Sequence, residues 1–467
     1  MSVHIYNSLT RKKEEFIPLV PQQANVYTCG VTVYDDSHIG HARSLYVFDL
    51  MRRYLKYRGF NVKFVRNITD IDDKIINRSN ELKIDWRELV EKYIAGYRRD
   101  LRDLGIDEAD FEPRATENIP DMVRYISSLI EKGYAYEAGG DVYFDVRKFP
   151  SYGKLSGQGI DDMRSGARIE PSGLKRDVLD FALWKKSKEG EPSWDSPWGS
   201  GRPGWHIECS VMAQKFLKTP TLDIHAGGRD LVFPHHENEI AQAEAATGEP
   251  FARYWIHHGL LTINGQKMSK SLGNFVTIKE ALKKYHPDAL KIFFLQAHYS
   301  SPVDFTETRM EESYKALQRF EILFHRAQQI QKANLTAIGK TADFIEEHKN
   351  NFIAAMDDDF NTPVAVASLF ELLNATNKYI DAGKDDNDYA QIVNFAINTI
   401  TELGRNIFNL NFQVAIQLTK EEEELIDRRR DARVRKDFNE SDLLREELKK
   451  GGIIVEDTKD GQVWRRV

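Results

Sequence analysis

Residues 25 to 72 constrain the fold more than any other part of the sequence. The segments "NVYTCGVTVY" and "NVKFVRNITDID" are rich in β-forming residues. Between them, "ARSLYVFDLMRRYLKYRG" carries apolar residues at helical spacing and ends at a glycine. Two strands joined through a helix predict a parallel βαβ unit, and ligands bind at the carboxyl ends of such strands. We therefore predict an α/β fold with a ligand site just after the first strand.

The α/β pattern is interrupted once and then resumes. From about Arg114 to Gly204 the sequence changes to a helical segment followed by short strands and loops, which predicts an inserted domain. The segments "TLDIHAGG", "HHENEIAQAEAATG" and "RYWIHHGLL" then read as strand, helix and strand. From about Phe275 the chain is mostly helical. Its last part begins with Thr419 and Glu422 at the spacing of a helix capping box, and it ends in a predicted hairpin.

Composition limits the classes of protein that remain. The 467 residues carry a formal net charge of -7, so a polyanionic partner would be held by a local basic face and not by the overall field. No apolar run approaches the roughly 20 residues that span a bilayer, and the polar first residues lack the pattern of a secretory signal. We expect a cytoplasmic protein that makes no membrane contact.

The two cysteines, Cys29 and Cys209, are either inert core thiols or metal ligands, and their count alone does not decide. His235 and Glu239 lie four residues apart, so on a helix they project from one face. Together with two thiolates from distant strands they would form a four-ligand Zn²⁺ site. The neighbouring pair in "FPHHENEIAQ", His236 and Glu237, is expected to point elsewhere. The alternative for this segment is an amphipathic helix with solvated histidines.

Two further segments carry groups that suit phosphates. His38, Gly40 and His41 stand at a predicted helix start, where backbone N–H groups and the helix dipole favour anions. In "GQKMSKSLGN", Lys267 and Lys270 follow a predicted turn, and two ammonium groups there can stabilise charge that develops on a polyphosphate. Taken alone, a lysine pair of this kind is usually a solvated surface loop.

Taken together, these segments resemble a known family. "HIGH" at 38–41 and "KMSKS" at 267–271 are similar to the two signature motifs of class I aminoacyl-tRNA synthetases. The finer resemblance is to the cysteinyl-tRNA synthetases, through "YTCGVTVYDDSHIGH", "FVRNITDIDDKII", "GRPGWHIECS", "FPHHENEIAQ", "KMSKSLGNF" and "DDDFNTP". It covers nearly the whole chain.

The resemblance implies an architecture. We expect a Rossmann-like parallel-sheet catalytic domain with an inserted connective domain, then an α-helical bundle and a small C-terminal anticodon-binding domain. The expected ranges are 1–115 and 205–258 for the two catalytic halves, 116–204 for the acceptor-end insertion, 259–315 for the KMSKS and stem-contact region, 316–410 for the bundle and 411–467 for the anticodon-binding domain.

The resemblance also implies a reaction. L-cysteine and ATP would form cysteinyl-adenylate, with Mg²⁺ accompanying ATP, and the 3′ end of tRNA(Cys) would accept the cysteine. One Zn²⁺ would take the substrate thiolate as an added ligand. The implied roles are zinc ligation by Cys29, Cys209, His235 and Glu239; an amino-acid pocket of Thr69, Trp205 and His225; ATP binding by Gly40, Gly228, Asp230 and Lys270; and catalysis by His38, His41, Lys267 and Lys270. For Trp205 the alternative is ordinary core packing.

The C-terminal part would contact the nucleic acid. Arg429 and Arg433 are expected to line the tRNA backbone and Trp464 to stack on a base, the alternative being a solvated basic helix and a capped hairpin. Lys291 stands where the family usually has arginine, which puts in doubt any role that needs a bidentate fork. Two other functions remain open: a ligase that transfers cysteine to an amino-sugar, and a zinc-stabilised RNA-binding protein without catalysis. We expect a monomer.

Overall fold

The predicted βαβ unit is present in the computed structural model. An antiparallel hairpin, β1 (His4–Asn7) and β2 (Lys12–Glu15), precedes it. The unit itself consists of β3 (Gln23–Thr32), α1 (Ile39–Tyr57) and β4 (Asn61–Thr69), and its two strands pair in parallel. The structure describes residues 2–160, 173–269, 272–330, 342–383, 388–412, 419–451, 453–458 and 461–466.

The interruption predicted after residue 114 is a separate small sheet. Helices α2 (Asp73–Leu82) and α3 (Trp86–Leu104) lead to it. It begins with α4 (Ile119–Glu131) and then forms four antiparallel strands in the order β5-β6-β7-β8. These strands are β5 (Ala135–Ala138), β6 (Asp141–Phe144), β7 (Phe181–Lys186) and β8 (Gly201–Pro203). The insertion therefore separates two halves of the α/β domain.

The second half completes the main sheet. Its elements are α5 (Trp205–Leu217), β9 (Leu222–Gly228), α6 (Glu237–Thr247) and β10 (Ala252–His258). The four-stranded sheet has the order β10-β9-β3-β4, and every pair is parallel. All seven residues of β9 are buried, as expected for a strand covered on both faces. The order places β3 and β9 side by side in the centre, so their carboxyl ends open into one crevice.

After the sheet, the chain forms a short hairpin and then helices. The hairpin strands β11 (Leu261–Ile263) and β12 (Gln266–Lys267) join β13 (Val303–Phe305) in a three-stranded sheet. Between them lie α7 (Ile278–Lys284) and α8 (Pro287–Leu295). Four longer helices follow: α9 (Glu307–Ile330), α10 (Asp343–Asp357), α11 (Thr362–Asp381) and α12 (Tyr389–Thr401). Lys291 of α8 is buried and donates to the Asn409 carbonyl at 2.6 Å, so it joins two parts of this region.

The C-terminal segment contains α13 (Lys420–Val434), α14 (Phe438–Lys450) and the hairpin of β14 (Ile453–Thr458) and β15 (Gly461–Arg466). The capping box predicted at Thr419 and Glu422 is present at the start of α13. The chain divides into two compact units, one of Met1–Ala316 with Leu335–Asn411 and one of Leu317–Asn334 with Phe412–Val467. The domain borders proposed from the sequence stay predictions. No helix within the described ranges is both long and apolar enough to cross a bilayer.

Candidate active site

Cys29 lies in an irregularity near the carboxyl end of β3. The pairing register with β4 shifts between Thr28 and Val31. At the neighbouring Gly30, a Cβ would stand 1.6 Å from the Asn67 carbonyl oxygen, and the Gly30 N–H donates to the Asn67 side chain at 2.8 Å. Only glycine permits this close approach of the two backbones. The irregular register therefore sets the position of Cys29 at the crevice.

Cys29 meets three other donor side chains there. Cys209 comes from α5, His235 from a turn before α6, and Glu239 from α6 itself. The Cys29 and Cys209 sulfurs are 3.9 Å apart, and the Cys209 sulfur is 3.6 Å from His235 Nε2. Glu239 Oε1 is 3.5 Å from the Cys29 sulfur and 2.9 Å from His235 Nε2. The structure thus brings together the four residues named from the sequence, and their ligand atoms all lie within 4.8 Å of one another.

These separations suit a tetrahedral metal. A regular tetrahedron with Zn–S near 2.3 Å and Zn–N near 2.1 Å has edges of about 3.8 Å between sulfurs and about 3.6 Å between sulfur and nitrogen. The sulfur–sulfur and sulfur–nitrogen distances match those edges. The His235–Glu239 separation of 2.9 Å is shorter than such an edge, because the two groups form an ion pair. Two thiols, an imidazole and a carboxylate are also the ligand types that zinc prefers. The donor set therefore fits zinc.

The pKa values of Glu239 and His235 are both shifted by the groups around them. Burial raises the pKa of Glu239, but the facing His225 and His235 outweigh it and hold that pKa well below its usual value. Burial lowers the pKa of His235, whereas the Glu239 carboxylate and Cys209 raise it to about 10. The metal-free pair is an imidazolium and a carboxylate. A metal bound at His235 Nε2 would therefore replace a proton.

Two of the four donors, Glu239 and His235, each contact a further histidine. His225 Nε2 is 2.7 Å from Glu239 Oε2, while the other oxygen, Oε1, lies 3.5 Å from the Cys29 sulfur. His206 Nδ1 is 2.8 Å from His235 Nδ1 and leaves Nε2 facing the cluster. Such contacts orient ligands and fix tautomers in metal sites. His225 is fully buried and stacks on Trp255 with centroids 4.4 Å apart. Its predicted contact with the amino acid stays a prediction.

One expectation for this segment is wrong. Glu237 does point elsewhere, because it accepts hydrogen bonds from backbone N–H groups of Gly153 and Ser156. His236 does not, since its Nε2 lies 3.2 Å from the Cys29 sulfur. The reason is local backbone: Val232–His236 is not regular α-helix, and Phe233 within it has φ -139° and ψ 133°. His235 and Glu239 keep their i, i+4 contact, and His236 belongs to a second donor group with Cys29, His225 and Glu239.

Trp205 begins α5, and Thr69 ends β4. Trp205 stacks on the His235 ring with centroids 3.9 Å apart and is 37% exposed, so it covers the donor cluster and is not ordinary core packing. Thr69, at the end of β4, is buried and donates to Glu208 Oε2 at 2.8 Å. Sequence reasoning missed Glu208, which stands beside Cys209 and whose pKa is raised well above its usual value by burial.

His38 and His41 form a reciprocal pair at the start of α1. The His41 N–H donates to His38 Nδ1 at 3.3 Å, and the His38 N–H donates to His41 Nδ1 at 3.2 Å. Burial is the leading cause that lowers the pKa of His38 to about 4 and that of His41 to about 3. Both rings are neutral near pH 7, and because each Nδ1 accepts, each Nε2 carries the proton. A Cβ at Gly40 would stand 2.9 Å from the His38 ring, so glycine leaves room for the His38 ring beside that of His41.

Of the other predicted nucleotide residues, the structure describes Lys267, Gly228 and Asp230. Lys267 ends β12 and is exposed. Lys270 lies outside the described residues. Gly228 ends the central strand β9, and Asp230 follows it on an exposed turn. A Cβ at Gly228 would stand 2.4 Å from Asp230 Oδ1, so the glycine allows the carboxylate to fold back over the strand end.

The residues predicted to contact RNA lie in the C-terminal unit. Arg429 is 1% exposed and donates to both carboxylate oxygens of Asp457, at 3.0 and 2.9 Å, so the expectation that it lines an RNA path is wrong. Arg433 is partly exposed and contacts the same carboxylate at 2.8 Å. Trp464 is half-buried and packs on the core of this unit. Phe438, which sequence reasoning did not single out, is 55% exposed near Arg433.

A parallel α/β sheet split by an insertion, with paired histidines at the first helix and a lysine hairpin after the last strand, defines the catalytic domain of a class I aminoacyl-tRNA synthetase. Residues 15–315 match the family described as "tRNA synthetases class I (C) catalytic domain", residues 351–412 a DALR domain and residues 416–465 a "Cysteinyl-tRNA ligase anticodon binding domain". The chain belongs to the cysteinyl-tRNA synthetase family.

Relatives and solved structures agree with this assignment. The chain is 50% identical to the cysteine–tRNA ligase of Sulfurihydrogenibium sp. (strain YO3AOP1) and 49% identical to that of Persephonella marina, each match covering 100% of both chains. The fold is similar to a methionyl-tRNA synthetase of Mycobacterium tuberculosis in complex with methionyl-adenylate. That match has a TM-score of 0.65 and 14% identity, and it covers 84% of this chain and 92% of the other.

Proposed function

We propose that this chain activates L-cysteine with ATP to cysteinyl-adenylate and transfers it to the 3′ end of tRNA(Cys). One observation carries the proposal: two thiols, an imidazole and a carboxylate converge within 4.8 Å beside a synthetase nucleotide crevice. The family assignment supports the reaction class, and this donor set supports the amino acid.

Selection of the amino acid rests on Cys29, Cys209, His235 and Glu239. A zinc ion held by these residues would supply a soft Lewis-acid centre that favours a thiolate over the harder and less acidic hydroxyl of serine. A purely apolar pocket discriminates one methylene by only about 1–3 kcal/mol. Trp205 covers His235 and limits water access, while His225 keeps one oxygen of Glu239 turned toward the sulfurs.

Activation of cysteine requires residues that bind ATP. The cysteine carboxylate attacks the α-phosphorus, a new C–O–P linkage forms, and pyrophosphate leaves. The Nε2–H groups of His38 and His41 donate to phosphate oxygens, and the N-terminal end of α1 adds its dipole. Lys267 would offset charge on the pyrophosphate, with Lys270 in the same proposed role. Mg²⁺ accompanies ATP, and Gly228 and Asp230 are proposed to hold the adenosine ribose.

Transfer to RNA uses the rest of the chain. A ribose hydroxyl of the tRNA attacks the adenylate carbonyl, and AMP leaves. The match at residues 416–465 supports an anticodon contact in the C-terminal unit. Among the aromatic residues there, exposed Phe438 is a better platform for a base than half-buried Trp464, and Arg433 beside it is accessible. The monomeric state and cytoplasmic location stay predictions.

The test is cysteine-dependent exchange of labelled pyrophosphate into ATP, run with serine in parallel and repeated after exhaustive chelation. We expect exchange with cysteine, none with serine, and loss on metal removal that zinc restores. Charging of tRNA(Cys) is then compared with transfer to an amino-sugar. Folded, zinc-loaded protein that binds tRNA but supports no exchange would replace the proposal with the RNA-binding alternative.

A further inference from the structure

Arg43 follows His41 by two residues on α1, and backbone carbonyl groups enclose its guanidinium. The residue is 1% exposed. Nη1 donates to the carbonyl oxygens of Gly259 and Leu260 at 2.8 and 3.0 Å. Nη2 donates to those of Tyr299 and Ser301 at 3.2 and 2.5 Å. Among the described residues no carboxylate pairs with it, so carbonyl dipoles alone meet its charge.

The carbonyls belong to two segments that lead into one sheet. Gly259 and Leu260 stand just before β11, and Ser301 stands just before β13. β11 pairs with both β13 and β12, and β12 ends with Lys267. The two segments also touch, since a Cβ at Gly259 would stand 2.3 Å from the Ser301 carbonyl oxygen. Arg43 therefore fixes the base of the Lys267 hairpin to the helix that starts with the histidine pair.

Backbone hydrogen bonds also connect the chain that follows the Lys267 hairpin to the start of α1. The Ile39 N–H donates to the Val276 carbonyl at 3.1 Å, and the Ile278 N–H donates to the Ser37 carbonyl at 2.9 Å. The Phe275 ring packs edge-on against His38 with centroids 5.3 Å apart. The start of α1 thus contacts the chain both before β11 and after residue 274, and Arg43 supplies the first of these contacts.

We propose that Arg43 is a positioning residue for adenylate formation, because it fixes the hairpin that carries Lys267 relative to His38 and His41. This inference rests on the proposed function. A planar guanidinium can reach four carbonyls in two segments at once, whereas an ammonium is a single point with three donors and is more strongly hydrated. A lysine at this position would therefore loosen the base of the hairpin while the donor cluster around Cys29 stays intact.

The experiment compares Arg43→Lys with Arg52→Lys. Arg52 lies on the same helix, is also buried, and donates to the Glu108 carbonyl and to Asp110, far from the hairpin in sequence. In pyrophosphate exchange we expect Arg43→Lys to lose at least ten-fold in kcat/KM for ATP with KM for cysteine changed less than two-fold. We expect Arg52→Lys to leave both near wild type. Hydrogen exchange should rise across residues 261–269 only in Arg43→Lys.

Chemical rescue distinguishes a positioning role of Arg43 from a general effect on protein stability. Arg43→Ala should regain at least ten-fold in ATP-dependent rate when methylguanidinium is added, and Arg52→Ala should not respond. Equal kinetics of Arg43→Lys and wild type, equal losses for ATP and cysteine, or failure of both Arg43 variants to fold would each overturn the inference. Absence of exchange in the wild-type protein would instead reject the proposed function itself.

Discussion

At the scale of single residues, Cys209 offers the sharpest test of the donor cluster. Serine keeps the size of the side chain but replaces a soft sulfur with a hard hydroxyl. We expect Cys209→Ser to lower bound zinc at least ten-fold and to abolish cysteine-dependent exchange, measured by metal analysis and pyrophosphate exchange. The control is Glu244→Gln on the same helix as Glu239, because Glu244 bonds to Lys154 outside the cluster. One zinc per chain in Cys209→Ser would contradict the assignment.

The buried histidine pair predicts a pH dependence of stability. In the unfolded chain, histidine takes up protons as the pH falls through about 6.5, whereas folded His38 and His41 stay neutral down to about 4 and 3. Between pH 6.5 and 4 the unfolded state therefore binds more protons, and the free energy of unfolding falls as the pH is lowered. Urea titrations at pH 7, 6 and 5 should give a shallower dependence for His41→Asn. If the free energy of unfolding of His41→Asn changed with pH as steeply as that of the wild type, the buried histidine pair would not be the source of the pH dependence.

The sequence predicted His235 and Glu239 as donors because the two residues lie close together along the chain. His235 and Glu239 share one turn, and the family resemblance implied Cys29 and Cys209 as the other two ligands. The orientation of His236 could not be predicted, since it depends on the extended backbone at Phe233. The contacts of two further histidines with the ligands were not predicted: His206 was not singled out, and His225 was expected in the amino-acid pocket. These contacts arise only through packing of separate elements.

At the scale of elements, α13 carries two arginines with different roles. Arg429 is buried with both nitrogens on Asp457, and Arg433, one turn later, is partly exposed. We expect Arg429→Met to destabilise the C-terminal unit by about 1–3 kcal/mol, because charged hydrogen bonds are lost. Arg433→Gln should change stability by less than about 0.5 kcal/mol and weaken tRNA binding.

Hydrogen exchange of β14 and β15 in the full chain, together with tRNA affinity, distinguishes the two variants. If Arg429→Met left exchange of these strands unaltered, the structural role of its ion pair would be refuted. The four strands of the main sheet were predictable because strand-like segments alternate with helical ones along the sequence. The burial of Arg429 was not, since a basic run in a helix looks solvated until its partner strand is known.

At the scale of the whole molecule, the two compact units predict two unfolding steps. Among the described residues, the C-terminal segment of the smaller unit has its own small core cluster of Ile426, Leu448, Ile453 and Val455. So small a core should unfold at lower urea than the catalytic domain. Trp464 reports on it, because the other six tryptophans lie in the larger unit. We expect tryptophan fluorescence to show two transitions, and Trp464→Phe to remove the first. A single transition in both proteins would contradict independent unfolding.

The donor cluster draws on widely separated parts of the chain, and this has a consequence for protein synthesis. Cys29 leaves the ribosome 180 residues before Cys209, and His235 and Glu239 follow later still. No nascent chain that ends before α6 can assemble the set. The first thiol therefore waits for its partners while more than half of the catalytic domain is translated, so binding of the proposed zinc would be one of the last events in folding that domain.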